Sequence, residues 1–183
     1  DGADSSDARF LFGHAVSGVL HAAGVGDKGL LLEVSTARVQ WMLAPKALGA
    51  WYTHGALSVS PLQSCTLFSS VGSGLGNVGQ ANYAIGNACL DSHALSRRSH
   101  GVEGCCLQWP LVGGAGMGAA AFAMVTERRI AVVGMAGISL EQYARCIGAQ
   151  LSMRRGLSQC VQMAHRAELH ELLQDLGEHA DQR

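Results

Sequence analysis

The stretch that decides the fold is QSCTLFSSVGSGLGNVGQANYAIGNACLDSHALSRR, residues 63–98. It begins with the short apolar run 63–68, which is typical of a buried strand. A glycine-rich segment follows. A helical pattern then covers residues 80–98, in which apolar residues from Ala81 onward recur at i, i+3, i+4 and i+7, the spacing of one helix face. Basic residues and then Gly101 come after it, as is common at helix C-termini. The stretch therefore predicts a strand, a loop and a helix.

A second strand and helix are predicted upstream. The apolar run 17–21 indicates a strand, and the small residues 22–24 follow it directly. A helical pattern then begins at Thr36 and continues to about residue 54, with Thr36 itself or Ser35 as its N-cap. Pro45 cannot donate the backbone hydrogen bond that a helix interior needs, so we expect a kink or break there.

The alternation continues downstream. The run 105–109 indicates a third strand, and the loop 110–116 follows it. One apolar helix face recurs over 140–151, and a short strand-like run, 159–163, precedes a last helical pattern with its leucines at 169–176. Strands that alternate with helices predict one α/β domain with a doubly wound, Rossmann-like parallel sheet.

Small residues follow all three of the first strands. Of the 183 residues, 24 are glycine, against a usual share of roughly 7%. Because ligands of such sheets bind beyond the carboxyl ends of the strands, we expect these three loops to converge on one site.

Composition excludes several classes of protein. Apolar residues make up 48% of the chain and charged residues 15%, which is typical of a globular domain. The net charge of -1 gives no electrostatic footprint for nucleic acid or for an anionic membrane surface. No apolar run reaches the roughly 18 residues of a membrane-spanning helix, and no targeting segment is visible.

The cysteines and histidines do not predict a metal centre. None of the six cysteines forms a Cys-x-x-Cys pair, and five lie in apolar stretches. We therefore expect reduced, structural thiols and a reducing compartment, such as the cytoplasm.

Residues 74–79, GLGNVG, match the dinucleotide-binding pattern G-x-G-x-x-G. The first glycine lies several residues beyond the strand end, and the next strand, 103–109, does not end in an acidic residue that could hold a ribose. We interpret this segment as a flexible loop that shapes a pocket, in preference to a phosphate-binding turn.

A set of polar residues can carry chemistry. Tyr83 and Asn87 are four residues apart and share one helix face, beside the strand that leads to Ser70. Lys46 follows Pro45 in the preceding helix. On spacing alone, the favoured interpretation is an aromatic helix residue, a cap or packing amide and a solvated lysine.

The run 68–91 resembles the core of ketoreductase domains of polyketide synthases, which belong to the short-chain dehydrogenase/reductase superfamily. Residues 18–25 resemble the family's HAAG loop, 44–51 its PKxxGAxxL helix, and Trp109 with 116–117 its WGxW…GM loop. The resemblance covers about residues 15–160. It identifies 1–183 as one ketoreductase domain without the first βαβ unit, with 164–183 as a C-terminal helix or linker.

The resemblance implies a catalytic set of Ser70, Tyr83, Asn87 and Lys46. Tyr-x-x-x-Asn with an upstream lysine, in place of Tyr-x-x-x-Lys, is characteristic of these ketoreductases. It implies Tyr83 as general acid, with the Lys46 cation favouring its anion. Ser70 would hydrogen-bond the carbonyl oxygen, and Asn87 would position a water or backbone group in the proton path.

The resemblance also implies a cofactor and partners. NADPH would reduce a β-ketoacyl thioester carried by an acyl carrier protein, within a synthase whose other domains share the polypeptide. The implied cofactor contacts are Ala22, Ala23, Gly24, Ser69, Pro110, Leu111 and Val112.

The chain departs from the family pattern at several positions. The TGGxxGxG phosphate loop would precede residue 1, so we expect the isolated chain to bind NADPH poorly. Pro110 stands where glycine is usual. Lys28 replaces the second aspartate of the LDD marker, and Leu75 stands where the other stereochemical type has tryptophan, so the configuration of the alcohol stays open. A non-catalytic structural ketoreductase and a free-standing short-chain dehydrogenase are the alternatives.

Overall fold

The structure is a computed structural model that describes residues 5, 16–58, 60–76, 79–114, 116, 118–119, 137–152 and 161–163. The helix predicted around 169–176 and the first two residues of the strand predicted at 159–163 lie outside the described residues. The chain divides into one compact unit formed by Asp1–Gln108 with Arg155–Gln162, and a second formed by Trp109–Arg154 with Met163–Arg183.

The strands form one sheet with the order β1-β2-β3-β4. They are β1 (Gly18–His21), β2 (Ser64–Ser70), β3 (Cys105–Trp109) and β4 (Val161–Met163). Strands β1 and β2 are parallel, with Gly18 opposite Ser64 and His21 opposite Leu67. The predicted parallel sheet with intervening helices is confirmed, and β2 extends two residues beyond the apolar run, so that it ends at Ser70.

The helices follow the predicted order. They are α1 (Thr36–Leu43), α2 (Gly49–Ala56), α3 (Gly72–Leu75), α4 (Ala81–Ser99) and α5 (Leu140–Ser152), with a 3-10 turn at Leu31–Glu33. Ser35 is the N-cap of α1, since its side chain accepts a hydrogen bond from the amide of Arg38 at 3.3 Å. Gly101 has a φ of 72° after the end of α4, and the next amide, of Val102, donates to the carbonyl of Arg97, as in a glycine-terminated helix.

Two predicted features take a different form. Pro45 does not break its helix, since Ala44–Leu48 form a π-helical segment between α1 and α2. The wider turn tolerates a missing amide hydrogen bond and keeps the helix continuous. The segment interpreted as a flexible loop begins with one helical turn, α3, and Gly76 then leaves it with a φ of 75°.

The core of the first unit lies between the sheet and two helices. Its buried cluster consists of Ala50 from α2, Leu90 and Ala94 from α4, Cys65 and Leu67 from β2, and Cys106 from β3. The small side chains of Ala50 and Ala94 allow α2 and α4 to approach the strands closely, and β2 packs against α4. None of the described cysteines forms a disulfide bond. Within the described ranges no helix is long and apolar enough to cross a membrane.

The second unit has its own local order. Val112 and Ile138 form an isolated parallel bridge, and the amide of Gly113 donates to the carbonyl of Ile138 at 2.9 Å. The rings of Trp109 and Tyr143 pack with centroids 4.5 Å apart. Ser139 and Gln142 exchange side-chain and backbone hydrogen bonds at the start of α5, which is the geometry of a capping box.

Candidate active site

The candidate site lies at the carboxyl ends of β1 and β2, beside the first turns of α4. The loop after β1 meets the glycine-rich segment after β2, since the amide of Gly29 donates to the carbonyl of Gly79 at 2.8 Å. The expected convergence of these two loops is therefore observed in the first unit.

Lys46 is the buried cation of this site. The π-helical segment turns its side chain into the protein, where the residue is only 4% exposed. Its Nζ donates a hydrogen bond to the carbonyl of Phe68 in β2 at 3.1 Å. The same Nζ lies 5.6 Å from the centroid of the Tyr83 ring, within the range of a cation–π contact. The interpretation of Lys46 as a solvated lysine is wrong, because its ammonium group is buried between the carbonyl of Phe68 in β2 and the ring of Tyr83 in α4.

Burial sets the titration of Lys46. Loss of hydration disfavours the charged amine and lowers its pKa from 10.5 to about 8, while coulombic interactions with Cys106 and with Asp91 act in the opposite direction. Burial also raises the pKa of the Cys106 thiol far above its usual range. Because that thiol is then neutral, Asp91 is the group that opposes the effect of burial on Lys46 near neutral pH.

Tyr83 is held at the start of α4 by its neighbour in sequence. The side-chain oxygen of Asn82 accepts the Tyr83 amide at 3.0 Å, and the Asn82 side-chain amide donates to Asp27. Asp27 also pairs with Arg38 of α1. This carboxylate therefore joins the loop after β1 to both helices next to Tyr83.

Asp27 is a residue that sequence reasoning missed. Its contact with Asn82 joins positions 55 residues apart, and no spacing rule connects them. The hydrogen bonds from Arg38 and then Asn82 lower the pKa of Asp27 below its usual value, so it remains a carboxylate across the neutral range.

Asn87 is completely buried one turn after Tyr83. Its Nδ2 donates to the Tyr83 carbonyl at 2.9 Å, while its Oδ1 has no hydrogen-bond partner among the described residues. Burying an unpaired amide oxygen is unfavourable. Such an oxygen is a ready acceptor for a water molecule, which is the chemistry needed to relay a proton.

The two serines at the end of β2 point in different directions, as successive strand residues do. Ser69 is buried, and its hydroxyl donates to the Asn87 carbonyl at 3.3 Å. Ser70 is half-buried, and its Oγ accepts the amide of Gly72 at 3.2 Å. The Ser70 hydroxyl could therefore donate a hydrogen bond to a bound carbonyl. The Ser69 hydroxyl hydrogen is already used, so Ser69 can offer a ligand only its backbone.

The predicted cofactor contacts divide between the two units. Ala22 and Ala23 are exposed directly after β1, and the half-buried Gly24 lies against Lys46. Pro110, Leu111 and Val112 follow β3 in the second unit and are half-buried. The first three thus adjoin the candidate site, while the other three belong to the segment that bridges to Ile138.

Gly24→Ala tests the contact between this loop and Lys46. A Cβ on Gly24 would come within 2.9 Å of Cε and 3.2 Å of Nζ of Lys46. The lysine end can move, so we expect little loss of stability but about a tenfold loss in the catalytic rate, because a misplaced charge is less effective. Gly55→Ala is the control, since its Cβ would meet nothing within 4 Å. Equal steady-state rates for the two variants would contradict the prediction.

The arrangement combines a buried cation, a phenol and a hydroxyl at one end of a sheet. A phenol next to an ammonium group can donate a proton, because the cation stabilises the phenolate that remains. A serine hydroxyl can hydrogen-bond an oxygen on which negative charge develops. Among the described residues, no group of three metal-ligating side chains comes together.

Comparisons with known proteins agree with one another. Residues 4–114 match the family model of the KR domain. Spectinabilin polyketide synthase system protein NorB of Streptomyces orinoci is 38% identical over 144 residues, 79% of this chain and 7% of that protein. The 6-methylsalicylic acid synthase of Aspergillus niger is 43% identical over 107 residues, 58% of this chain and 6% of that synthase.

Solved structures show the same fold. The first ketoreductase of the tylosin PKS is 28% identical and superposes with a TM-score of 0.75, over 90% of this chain and 35% of that one. A-type ketoreductases from a modular polyketide synthase are 25% identical with a TM-score of 0.76, over 90% of this chain and 34% of theirs. The chain therefore spans about a third of the ketoreductases that it resembles.

Proposed function

Since the chain belongs to the KR domain family, the ketoreductases of polyketide synthases within the short-chain dehydrogenase/reductase superfamily, we propose that it takes part in reducing a β-ketoacyl thioester to the β-hydroxyacyl thioester. KR domains of these synthases are oxidoreductases that act on ketoacyl groups. The finer proposal is that the thioester is carried on an acyl carrier protein and that the reductant is NADPH.

One observation supports this proposal above the others. The Lys46 ammonium is buried and lies 5.6 Å from the ring of Tyr83, although 37 positions separate them in the chain. A buried cation is costly unless its surroundings or its task compensate. A phenol that must release a proton is such a task, because the cation stabilises the resulting anion.

The proposed reaction uses the described side chains as follows. Ser70 donates a hydrogen bond to the ketone oxygen and shares the charge that develops there. Tyr83 transfers its phenolic proton to that oxygen, and Lys46 stabilises the phenolate until a proton returns. The unpaired Oδ1 of Asn87 holds a water through which that proton can arrive.

The residues present fit a nicotinamide cofactor. Ala22 and Ala23 are exposed at the end of β1, and the half-buried Gly24 lies against Lys46. A proton donor and a buried cation thus adjoin this loop, and they are the donor set that ketone reduction needs. NADPH would supply the hydride for the ketone carbon. Ala22, Ala23, Gly24 and the backbone of Ser69 would line its site, with Pro110, Leu111 and Val112 following β3.

The proposed partners follow from the relatives. NorB and the 6-methylsalicylic acid synthase are many times longer than this chain, which matches 7% and 6% of them. We therefore propose that this chain works beside other synthase domains in one polypeptide. Its substrate would arrive as a thioester on the phosphopantetheine arm of an acyl carrier protein.

The experiment is a reduction assay on the complete protein that carries this chain. A β-ketoacyl thioester is supplied with NADPH or NADH, and the product is identified by its mass increase of two hydrogens. We expect the hydroxyacyl thioester and a preference for NADPH. Unchanged thioester with both cofactors, in a folded protein, would favour a structural, non-catalytic role.

A further inference from the structure

A second group of polar side chains lies outside the proposed catalytic set, and we call it the Asp91 cluster: Asp91 of α4, Ser73 of α3 and Gln108 of β3. The Ser73 hydroxyl donates to Oδ2 of Asp91 at 2.7 Å. The Gln108 Nε2 donates to the same Oδ2 at 2.9 Å and to the Ser73 Oγ at 3.0 Å. The three side chains therefore form a closed triangle in which one carboxylate oxygen accepts two hydrogen bonds.

The cluster connects the segment after β2 to the rigid part of the unit. Ser73 lies three residues beyond Ser70, in the single helical turn α3. A four-residue helix has little stability of its own, because helix nucleation is costly. The contacts of Ser73 tie this turn to α4 and β3, whose residues Leu90 and Cys106 are in the core.

This tie has a direct consequence for Ser70. The Ser70 Oγ accepts the amide of Gly72, the first residue of α3. If α3 moves, that amide moves and the direction of the Ser70 hydroxyl changes with it. The Asp91 cluster therefore positions Ser70 through Ser73 and then Gly72, which lie close to it in the chain.

The second link is electrostatic and leads to Lys46. Tyr83, Asn87 and Asp91 follow one another at intervals of four on one face of α4, and the Tyr83 ring faces the Lys46 Nζ at 5.6 Å. The titratable groups that face or act on Lys46 from the packed elements are Asp91 and Tyr83 of α4, Cys106 of β3 and His21 of β1. Burial lowers the pKa of His21, and burial raises that of Cys106, so both are neutral near pH 7. The negative charge of the Asp91 carboxylate favours the ammonium form of Lys46.

We propose that Asp91 is a positioning residue of the reductase: through Ser73 it fixes the segment that carries Ser70, and its negative charge favours the ammonium form of Lys46. The inference rests on the proposed function and extends it to a residue outside the catalytic set. A carboxylate suits both tasks, because it accepts several hydrogen bonds and carries a charge that an amide lacks.

Two substitutions separate these tasks. Asp91→Asn removes the charge, while its amide oxygen can still accept from Ser73 and Gln108. Ser73→Ala removes one hydrogen bond of the triangle and keeps the charge. Neither changes the volume of the side chain by more than one oxygen atom, so we expect both proteins to fold.

The experiment measures the pH dependence of thioester reduction by the complete protein and by both variants. Activity should fall on the alkaline side of the pH profile, where Lys46 loses its proton. For Asp91→Asn we expect this fall to begin at lower pH, by about half a unit or more. For Ser73→Ala we expect kcat to fall about three- to tenfold while KM for the thioester and the alkaline limb stay as they were. If Asp91 had only a structural role, Asp91→Asn would not change the pH at which activity falls on the alkaline side.

A second measurement does not depend on turnover. The rate of acetylation of Lys46 by acetic anhydride, followed by peptide mass spectrometry against pH, reports the titration of the lysine itself. We expect its midpoint to shift down in Asp91→Asn and to stay in Ser73→Ala. If the wild-type protein reduces no thioester, the proposed function fails, and this titration still decides whether Asp91 acts on Lys46.

Three outcomes would overturn the inference. An unmoved Lys46 midpoint in Asp91→Asn would show that the aspartate does not set the charge of the lysine. A wild-type kcat in Ser73→Ala would show that the triangle does not position Ser70. Equal changes in both variants, accompanied by equal losses of thermal stability, would assign Asp91 to folding alone.

Discussion

Tyr83→Phe is expected to lower kcat for thioester reduction by about 10²- to 10⁴-fold, the usual contribution of a general acid. The substitution removes only the hydroxyl. The aromatic ring that faces Lys46 Nζ at 5.6 Å remains, so its packing and its contact with the cation are retained. We therefore expect KM for the thioester and the melting temperature to change little.

Tyr52→Phe is the matched control for this experiment. Tyr52 is half-buried in α2, outside the predicted site, and loses the same atom. Its kcat should equal that of the wild-type protein. Retention of more than about a tenth of the rate in Tyr83→Phe would mean that another group supplies the proton.

Lys46→Met is expected to lower kcat by about 10²- to 10³-fold, the usual loss when one electrostatic contact to a developing charge is removed. Methionine fills most of the same volume without a charge. In the wild-type protein we expect the rate to fall as the pH rises through about 8, because Lys46 then loses its proton. That limb should be absent from the residual activity of Lys46→Met.

The contribution of Lys46 to the free energy of unfolding should change with pH in the direction opposite to the catalytic rate. The folded pKa of Lys46, about 8, lies below its value of 10.5 in the unfolded chain. Between these values the unfolded chain binds the proton and the folded protein does not, so the free energy of unfolding rises with pH. The urea midpoint of the wild-type protein relative to that of Lys46→Met should therefore rise from pH 7.5 to 10.5, while buried thiols such as Cys106 affect both proteins alike.

Parallel pH profiles of the two proteins would contradict this account. If the wild-type and Lys46→Met midpoints change together, burial does not alter the titration of Lys46, and the ammonium is better hydrated than its 4% exposure indicates. An alkaline limb that persists in Lys46→Met would assign the loss of activity to a different group.

Much of the fold could be predicted from sequence because its signals are local. The run 105–109 is a strand with those bounds, and the helix predicted over 80–98 spans Ala81–Ser99. Ser35 as N-cap and Gly101 at the C-terminus also follow from short-range hydrogen bonding and backbone freedom. The form taken at Pro45 was not predictable, because kinking, breaking and π-helical widening all accommodate a missing amide.

The sequence by itself determined the alternation of strands and helices, the edge of the sheet at which a site would form, and four candidate catalytic residues. The tertiary structure alone decided which of them meet. It buries Lys46 against Tyr83 and leaves Oδ1 of Asn87 unpaired. It also brings Asp91 to Ser73 and Gln108, which no pattern connects. Backbone preferences act over a few residues, whereas charge burial depends on how distant segments pack.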